Sequence, residues 1–230
     1  MNRGADRIEI NEVGPRDGLQ IEKTIVPTHE KIAFVNALSD VGFARIEVTS
    51  FTSPKAIPAL ADAQDVMRGI GRTPGVIYTA LVPNMRGLER ALESGTDEMN
   101  LVMSCSETHN RANLRMTRDQ SLAELTGMLA RAEDHGVPCN VSLSTAFGCP
   151  FEGEIAQDGV LNLARRLVDA GASGVTLCDT TGMAFPTQVS ALSEQVQRAL
   201  DGIPVTLHLH NTRGMALANA VAGWQAGITR

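Results

Sequence analysis

The stretch Val160-Leu-Asn-Leu-Ala-Arg-Arg-Leu-Val-Asp-Ala-Gly-Ala-Ser-Gly-Val-Thr-Leu-Cys-Asp179 holds one full unit of the pattern that decides the fold. Val160, Leu163, Leu167 and Val168 recur at helical spacing. Gly171 follows, and glycine enters the left-handed conformation that ends a helix without a Cβ clash. Gly174-Val-Thr-Leu-Cys178 then reads as a short buried strand. Outward from this unit the same punctuation recurs. Gly42 precedes Arg45–Thr49, Gly75 precedes Val76–Val82, and Gly95 precedes Glu98–Met103. Gly136 precedes Asn140–Ser144, Gly202 precedes Pro204–His210, and Gly227 precedes Ile228-Thr-Arg230. Two further apolar stripes, Leu122/Leu125/Met128/Leu129/Ala132 and Val189/Leu192/Val196/Leu200, mark helices between the strands. Thr117 and Gln120 are spaced for a capping box at the start of the first of these.

Strands alternating with helices of this length imply parallel βαβ units. With Arg7–Val13 as the first, the strands number seven, and an eighth begins near Ile228. Eight such units close a barrel. A doubly wound sheet is the alternative, but Val13-Gly-Pro-Arg-Asp-Gly-Leu-Gln20 stands where its Gly-rich fingerprint would follow the first strand. The expectation is a (β/α)8 TIM barrel, here lacking the eighth strand and helix: one domain over 1–230, C-terminally incomplete. A barrel so opened exposes apolar strand edges, so a homo-oligomer is expected, a dimer first.

The 230 residues carry a net charge of −6, which argues against nucleic acid and anionic membranes as partners. Aromatic residues make up only 3%, too few for a base-stacking platform and leaving the core to aliphatic side chains. No run of about 20 apolar residues occurs, and no apolar segment follows the N-terminus. Cys105, Cys139, Cys149 and Cys178 lack C-x-x-C spacing, so reduced thiols and a cytoplasmic location are expected.

In a barrel of this kind chemistry gathers at the C-terminal ends of the strands. Those ends are polar here: Arg16-Asp17, Glu47 with Thr49-Ser50, Pro83-Asn84, Ser104, Ser144-Thr145, Asp179-Thr180-Thr181, and His208 with His210. Residues two apart on a strand share a face, so His208 and His210 could stand side by side. Two imidazoles with a carboxylate make a divalent-metal site, against the alternative of one core histidine and one facing a helix. Asp17 is the best acid for it, although Asp-Gly is also a common turn. Arg16 could aim a planar cationic fork at an oxyanion or be a surface charge. Glu47, inside an apolar run, needs a partner if buried, and Arg16 would satisfy it. Asp179 reads equally as a cap for the loop that follows it. His29 and His135 fit a helix start and a helix end, His109 lies in the polar loop Ser106–Asn113, and Cys149 is expected to be buried and inert.

Glu12-Val-Gly-Pro-Arg-Asp-Gly-Leu-Gln20, Ile46-Glu-Val-Thr-Ser-Phe51 with Ser53-Pro-Lys55, Gly148-Cys-Pro-Phe-Glu-Gly153 and Ala216-Leu-Ala-Asn219 together resemble the 3-hydroxy-3-methylglutaryl-CoA lyase family, within the metal-dependent barrel lyases and Claisen-type synthases. The resemblance implies an acyl-CoA substrate cleaved to acetoacetate and acetyl-CoA with Mg2+ or Mn2+. It implies that Asp17, His208 and His210 are metal ligands, that Arg16 meets the thioester oxygen, and that Glu47 supports Arg16. Gln20 and Asp179 match positions near the substrate, and Asp17 or His208 would be the base. Asn211-Thr-Arg-Gly214 and Ser142 depart from the animal lyases, which puts the acyl group in question. The family's fourth metal ligand and its cysteine-bearing loop belong after the eighth strand, so weak activity or none is expected of residues 1–230. The rival readings are a Claisen-type synthase, a non-haem iron protein built on the same two-histidine, one-carboxylate set, and a non-catalytic fragment.

Overall fold

The computed structural model describes residues 7–230. Its strands are β1 (Asn11–Glu12), β2 (Arg45–Ser50), β3 (Ile77–Val82), β4 (Glu98–Ser104), β5 (Cys139–Ser144), β6 (Gly174–Asp179) and β7 (Val205–Leu209). The helices are α1 (Thr28–Ser39), α2 (Ala63–Gly69), α3 (Met85–Glu93), α4 (Glu107–Leu114), α5 (Arg118–Glu133), α6 (Gln157–Asp169), α7 (Pro186–Ala199) and α8 (Ala216–Gln225). Neighbouring strands are bonded in chain order, β1-β2-β3-β4-β5-β6-β7. A doubly wound sheet reverses its order at a switch point, and none occurs here. The order is that of a (β/α) barrel, with seven strands among the described residues.

The chain falls into two compact units, Glu9–Leu101 with Ala130–Cys139, and residues 7–8 with Val102–Leu129 and Asn140–Arg230. In the first unit, β1, β2, β3 and β4 are parallel, and Arg45↔Ile77, Glu47↔Thr79↔Glu98 and Leu81↔Asn100 stand in register. One face of this sheet is apolar and covered: Ile46, Tyr78, Ala80, Met99 and Leu101 are all buried, with α1 and α2 packed on β2 and α3 on β3. The opposite face carries Arg45, Glu47, Thr79, Glu98 and Asn100, because successive side chains of a strand alternate between faces. The register between β2 and β3 slips after Glu47, a bulge of the kind that re-aims side chains near a site.

The first strand is shorter than the expected Arg7–Val13. Only Asn11 and Glu12 join the ladder, opposite Arg45 and Ile46. Ile8 and Ile10 remain exposed, so no apolar packing extends the pairing towards the N-terminus.

In the second unit, β5, β6 and β7 are parallel, and Val141↔Val175↔Val205 and Leu143↔Leu177↔Leu207 line the helix-covered face. The expected stripes are buried on α6 and α7, except that Val168 is only partly covered. The capping box forms in both directions: Gln120 N–H donates to Thr117 Oγ1 (3.0 Å) and Thr117 N–H to Gln120 Oε1 (2.8 Å). Past α8, Gly227 takes φ +100°. Leu207 N–H then donates to Arg230 O (3.0 Å), the backbone bond that ties the last residues to β7; residues 228–230 form no strand.

Ser106–Asn113 is not a loop. It belongs to α4, whose N-cap Ser106 accepts the His109 N–H (3.0 Å). The helix lacks an apolar stripe, which is why periodicity does not reveal it. Buried Asn110 anchors it instead, accepting from Ser104 N–H and donating to Met116 O and Ser121 Oγ.

Candidate active site

Chain reversal after β1 is made by Gly14-Pro-Arg-Asp-Gly18, a single turn of π-helix that begins just after Val13. Such turns are rare and gather at functional sites. This one buries Arg16, 7% exposed, against Glu47, 4% exposed. Arg16 Nε donates to Glu47 Oε2 at 2.5 Å and Nη1 to Asp17 Oδ1 at 2.6 Å. The guanidinium is thus held along two edges, and its orientation is set before any substrate arrives. A buried carboxylate beside a buried cation is tolerable only as a pair, and removing one partner costs about 3–5 kcal/mol. Of the two carboxylates on this guanidinium, Glu47 is the more deeply buried and Asp17 the more exposed.

The remaining Glu47 oxygen, Oε1, accepts from Asn100 Nδ2 at 2.9 Å. Sequence reasoning missed Asn100. The signal was there: a polar residue two after Glu98, flanked by Met99 and the apolar run Leu101-Val-Met103. Gln20, in the turn after Asp17, is half-buried.

In the second unit His208 and His210 share one side of β7, their rings stacked with centroids 5.0 Å apart and planes 25° apart. This is the side-by-side arrangement that the spacing called for, and both residues are partly accessible. In register, His208 lies opposite Cys178 and Leu209 opposite Asp179. Asp179 is buried, and its carboxylate accepts from Met183 N–H (2.8 Å) and Ala184 N–H (3.2 Å), so it caps the β6–α7 loop. His210 N–H reaches Asp179 O at 3.4 Å. Gly182, φ +66°, lets this loop pass Thr212: a Cβ there would sit 2.8 Å from the threonine side chain.

At the ends of β4 and β5, Ser104 Oγ and His109 Nδ1 are 2.6 Å apart, and Cys149 Sγ–H donates to Ser106 Oγ (3.1 Å). Burial holds the His109 imidazole below its ordinary value, with Glu152 opposing. Glu152 is held below the usual carboxylate range by hydrogen bonds from the Thr108 side chain and backbone. Thr145 takes φ +58°, an uncommon conformation for a β-branched residue and one that clusters at functional sites. Its N–H donates to Thr180 Oγ1 (2.8 Å). All four cysteines are free and buried, Cys149 among them as expected, and burial raises the Cys139 thiol to about 12. No helix of the described residues is long and apolar enough to cross a membrane.

Comparison with known proteins gives this geometry a family. The HMGL-like family model matches residues 7–230. The hydroxymethylglutaryl-CoA lyase YngG of Bacillus subtilis is 46% identical over 223 residues, covering 97% of this chain and 75% of that protein. The (R)-citramalyl-CoA lyase of Chloroflexus aurantiacus is 38% identical over 233 residues, covering 97% of this chain and 74% of that one. A structure of an HMG-CoA lyase from Acinetobacter baumannii with coenzyme A and 3-methylmalate superimposes with a TM-score of 0.95 at 46% identity, covering 98% of this chain and 73% of that chain. The TIM-barrel-type fold, the buried Arg16–Glu47 pair in the π-turn motif and the paired histidines on β7 therefore have one explanation: this chain belongs to the HMGL-like family of carbon–carbon lyases.

Proposed function

We propose that the chain is a single catalytic domain that cleaves 3-hydroxy-3-methylglutaryl-CoA to acetoacetate and acetyl-CoA, slowly as residues 1–230, with Asp17, His208 and His210 holding one divalent cation, Mg2+ or Mn2+. What carries this reading is the buried Arg16 fork, fixed by Glu47 on one edge and Asp17 on the other, in a chain 46% identical to a hydroxymethylglutaryl-CoA lyase. The donor set fits a cation. Two imidazoles stack with ring centroids 5.0 Å apart on one side of a strand, and Asp17 supplies the carboxylate oxygen that a two-histidine, one-carboxylate set takes. A cation held there supplies Lewis acidity, which lowers the pKa of a hydroxyl by many units.

The chain's own groups account for the rest. Cleavage between the carbinol carbon and the carbon beside the thioester leaves an enolate on the thioester oxygen. Arg16 is oriented in advance to donate to that oxygen, a contribution of about 3–4 kcal/mol for a comparable donor. Asp17 or His208 accepts the hydroxyl proton. Gln20 and the β6–α7 loop, ordered by Asp179, border the acyl group.

The test is stoichiometric release of acetoacetate and acetyl-CoA from the substrate in the presence of Mn2+. A folded, Mn2+-binding protein that releases neither overturns the proposal. The Chloroflexus relative favours a second acyl group, citramalyl-CoA. Pyruvate in place of acetoacetate would identify it.

A further inference from the structure

We propose that Asn100 is a positioning residue for Arg16, acting through Glu47; the inference deepens the reading of Arg16 as the oxyanion donor. Two rungs cross from β2 to β4 on the polar face of the sheet. On one, Arg45 Nε lies 3.4 Å from the Glu98 carboxylate; on the other, two residues further along both strands, Asn100 Nδ2 donates to Glu47 Oε1 at 2.9 Å. The first rung is a charge pair. On the second, β4 supplies a neutral amide instead.

That difference has a physical consequence. A cation at position 100 would share Glu47 with Arg16 and weaken its hold on the guanidinium. A carboxylate there would repel Glu47. A side-chain amide satisfies Oε1 and fixes the plane of the carboxylate, so that Oε2 meets Arg16 Nε, while the charge that Arg16 needs stays intact. Glu47 is 4% exposed, so the Asn100 amide is the partner on hand for its Oε1. Asn100 thereby determines where the Arg16 fork points, and small errors in such a direction cost rate.

Two variants test this, Asn100→Ala, which removes the donor without adding bulk, and the nearly isosteric Asn100→Asp, each checked for folding by thermal melting. Asn100→Ala lowers kcat about 10-fold with KM changed less than about twofold, and Asn100→Asp lowers kcat about 100-fold. In a Glu47→Ala background Asn100→Ala changes kcat less than about twofold, because a residue acting through another has nothing left to act on. Independently of turnover, the Arg16 Nε–H resonance of 15N-arginine-labelled protein, assigned by its loss in Arg16→Lys, shifts and exchanges faster with water in Asn100→Ala. An unchanged resonance, or equal costs in both backgrounds, overturns the proposal. A resonance that shifts in Asn100→Ala while the parent protein cleaves no acyl-CoA supports the positioning role and overturns the lyase reading instead.

Discussion

β2 and β7 carry functional side chains in opposite ways. On β2, Glu47 is buried and fully engaged, with one oxygen to Arg16 and the other to Asn100, and every residue after Arg45 is buried. On β7, only Val205 is buried, and the imidazoles of His208 and His210 stand partly open beside each other. A group that must present fixed charge to a developing oxyanion gains from being locked in a dry network. On the function proposed above, ligands that must receive a cation gain from such access. Substitutions on the two strands should therefore fail differently, the first through folding and rate, the second through ligand binding alone.

The largest effect is expected for Arg16→Met. It strands Glu47 without its cation, so urea titration should show a loss of about 3–5 kcal/mol. Acyl-CoA turnover should fall about 100- to 1,000-fold. A variant as stable as the parent would break the comparison at its β2 side. His208→Ala should do the reverse. Mn2+ affinity measured by calorimetry falls by more than about 10- to 100-fold, the range for loss of even an outer-shell partner, while unfolding free energy moves by about 0.5 kcal/mol or less. Between these stands a control remote in role from both strands: Thr117→Ala breaks the capping box of α5 and should cost about 1 kcal/mol with Mn2+ affinity unchanged.

The smallest effect is one of pH, at His109 on α4. Burial depresses its folded-state value below the ordinary imidazole value of about 6.5, so the unfolded chain takes up this proton first as pH falls. The stabilising contribution is complete above about pH 6.5, shrinks as pH drops from there to the folded value, and is constant below that. His109→Gln should flatten that part of the stability–pH curve, measured by denaturant midpoints across it.

The sequence exposes what repeats and hides what is solitary. Glycine punctuation and apolar stripes place β2 to β7 within a residue or two, because burying alternate faces forces those periods. The π-turn at Gly14–Gly18 has no period to read, and β1 shrinks to two residues because its isoleucines find no cover. The polar helix α4 rests on one buried asparagine, which looks like any loop asparagine in the chain. The histidine pair is legible because strand parity alone sets it. The Arg16–Glu47 pair is legible because an acid within an apolar run demands a partner. Asn100 stays hidden because an amide makes no such demand until the register that brings it to Glu47 is known.

The spin-echo modulation spectrum of Mn2+ bound to this chain tests the central claim most directly, since it counts nitrogen ligands. The account expects one bound Mn2+ with two imidazole nitrogens, one lost in His208→Ala and one in His210→Ala, and binding weakened in Asp17→Asn. A bound Mn2+ that shows no imidazole nitrogen would contradict it.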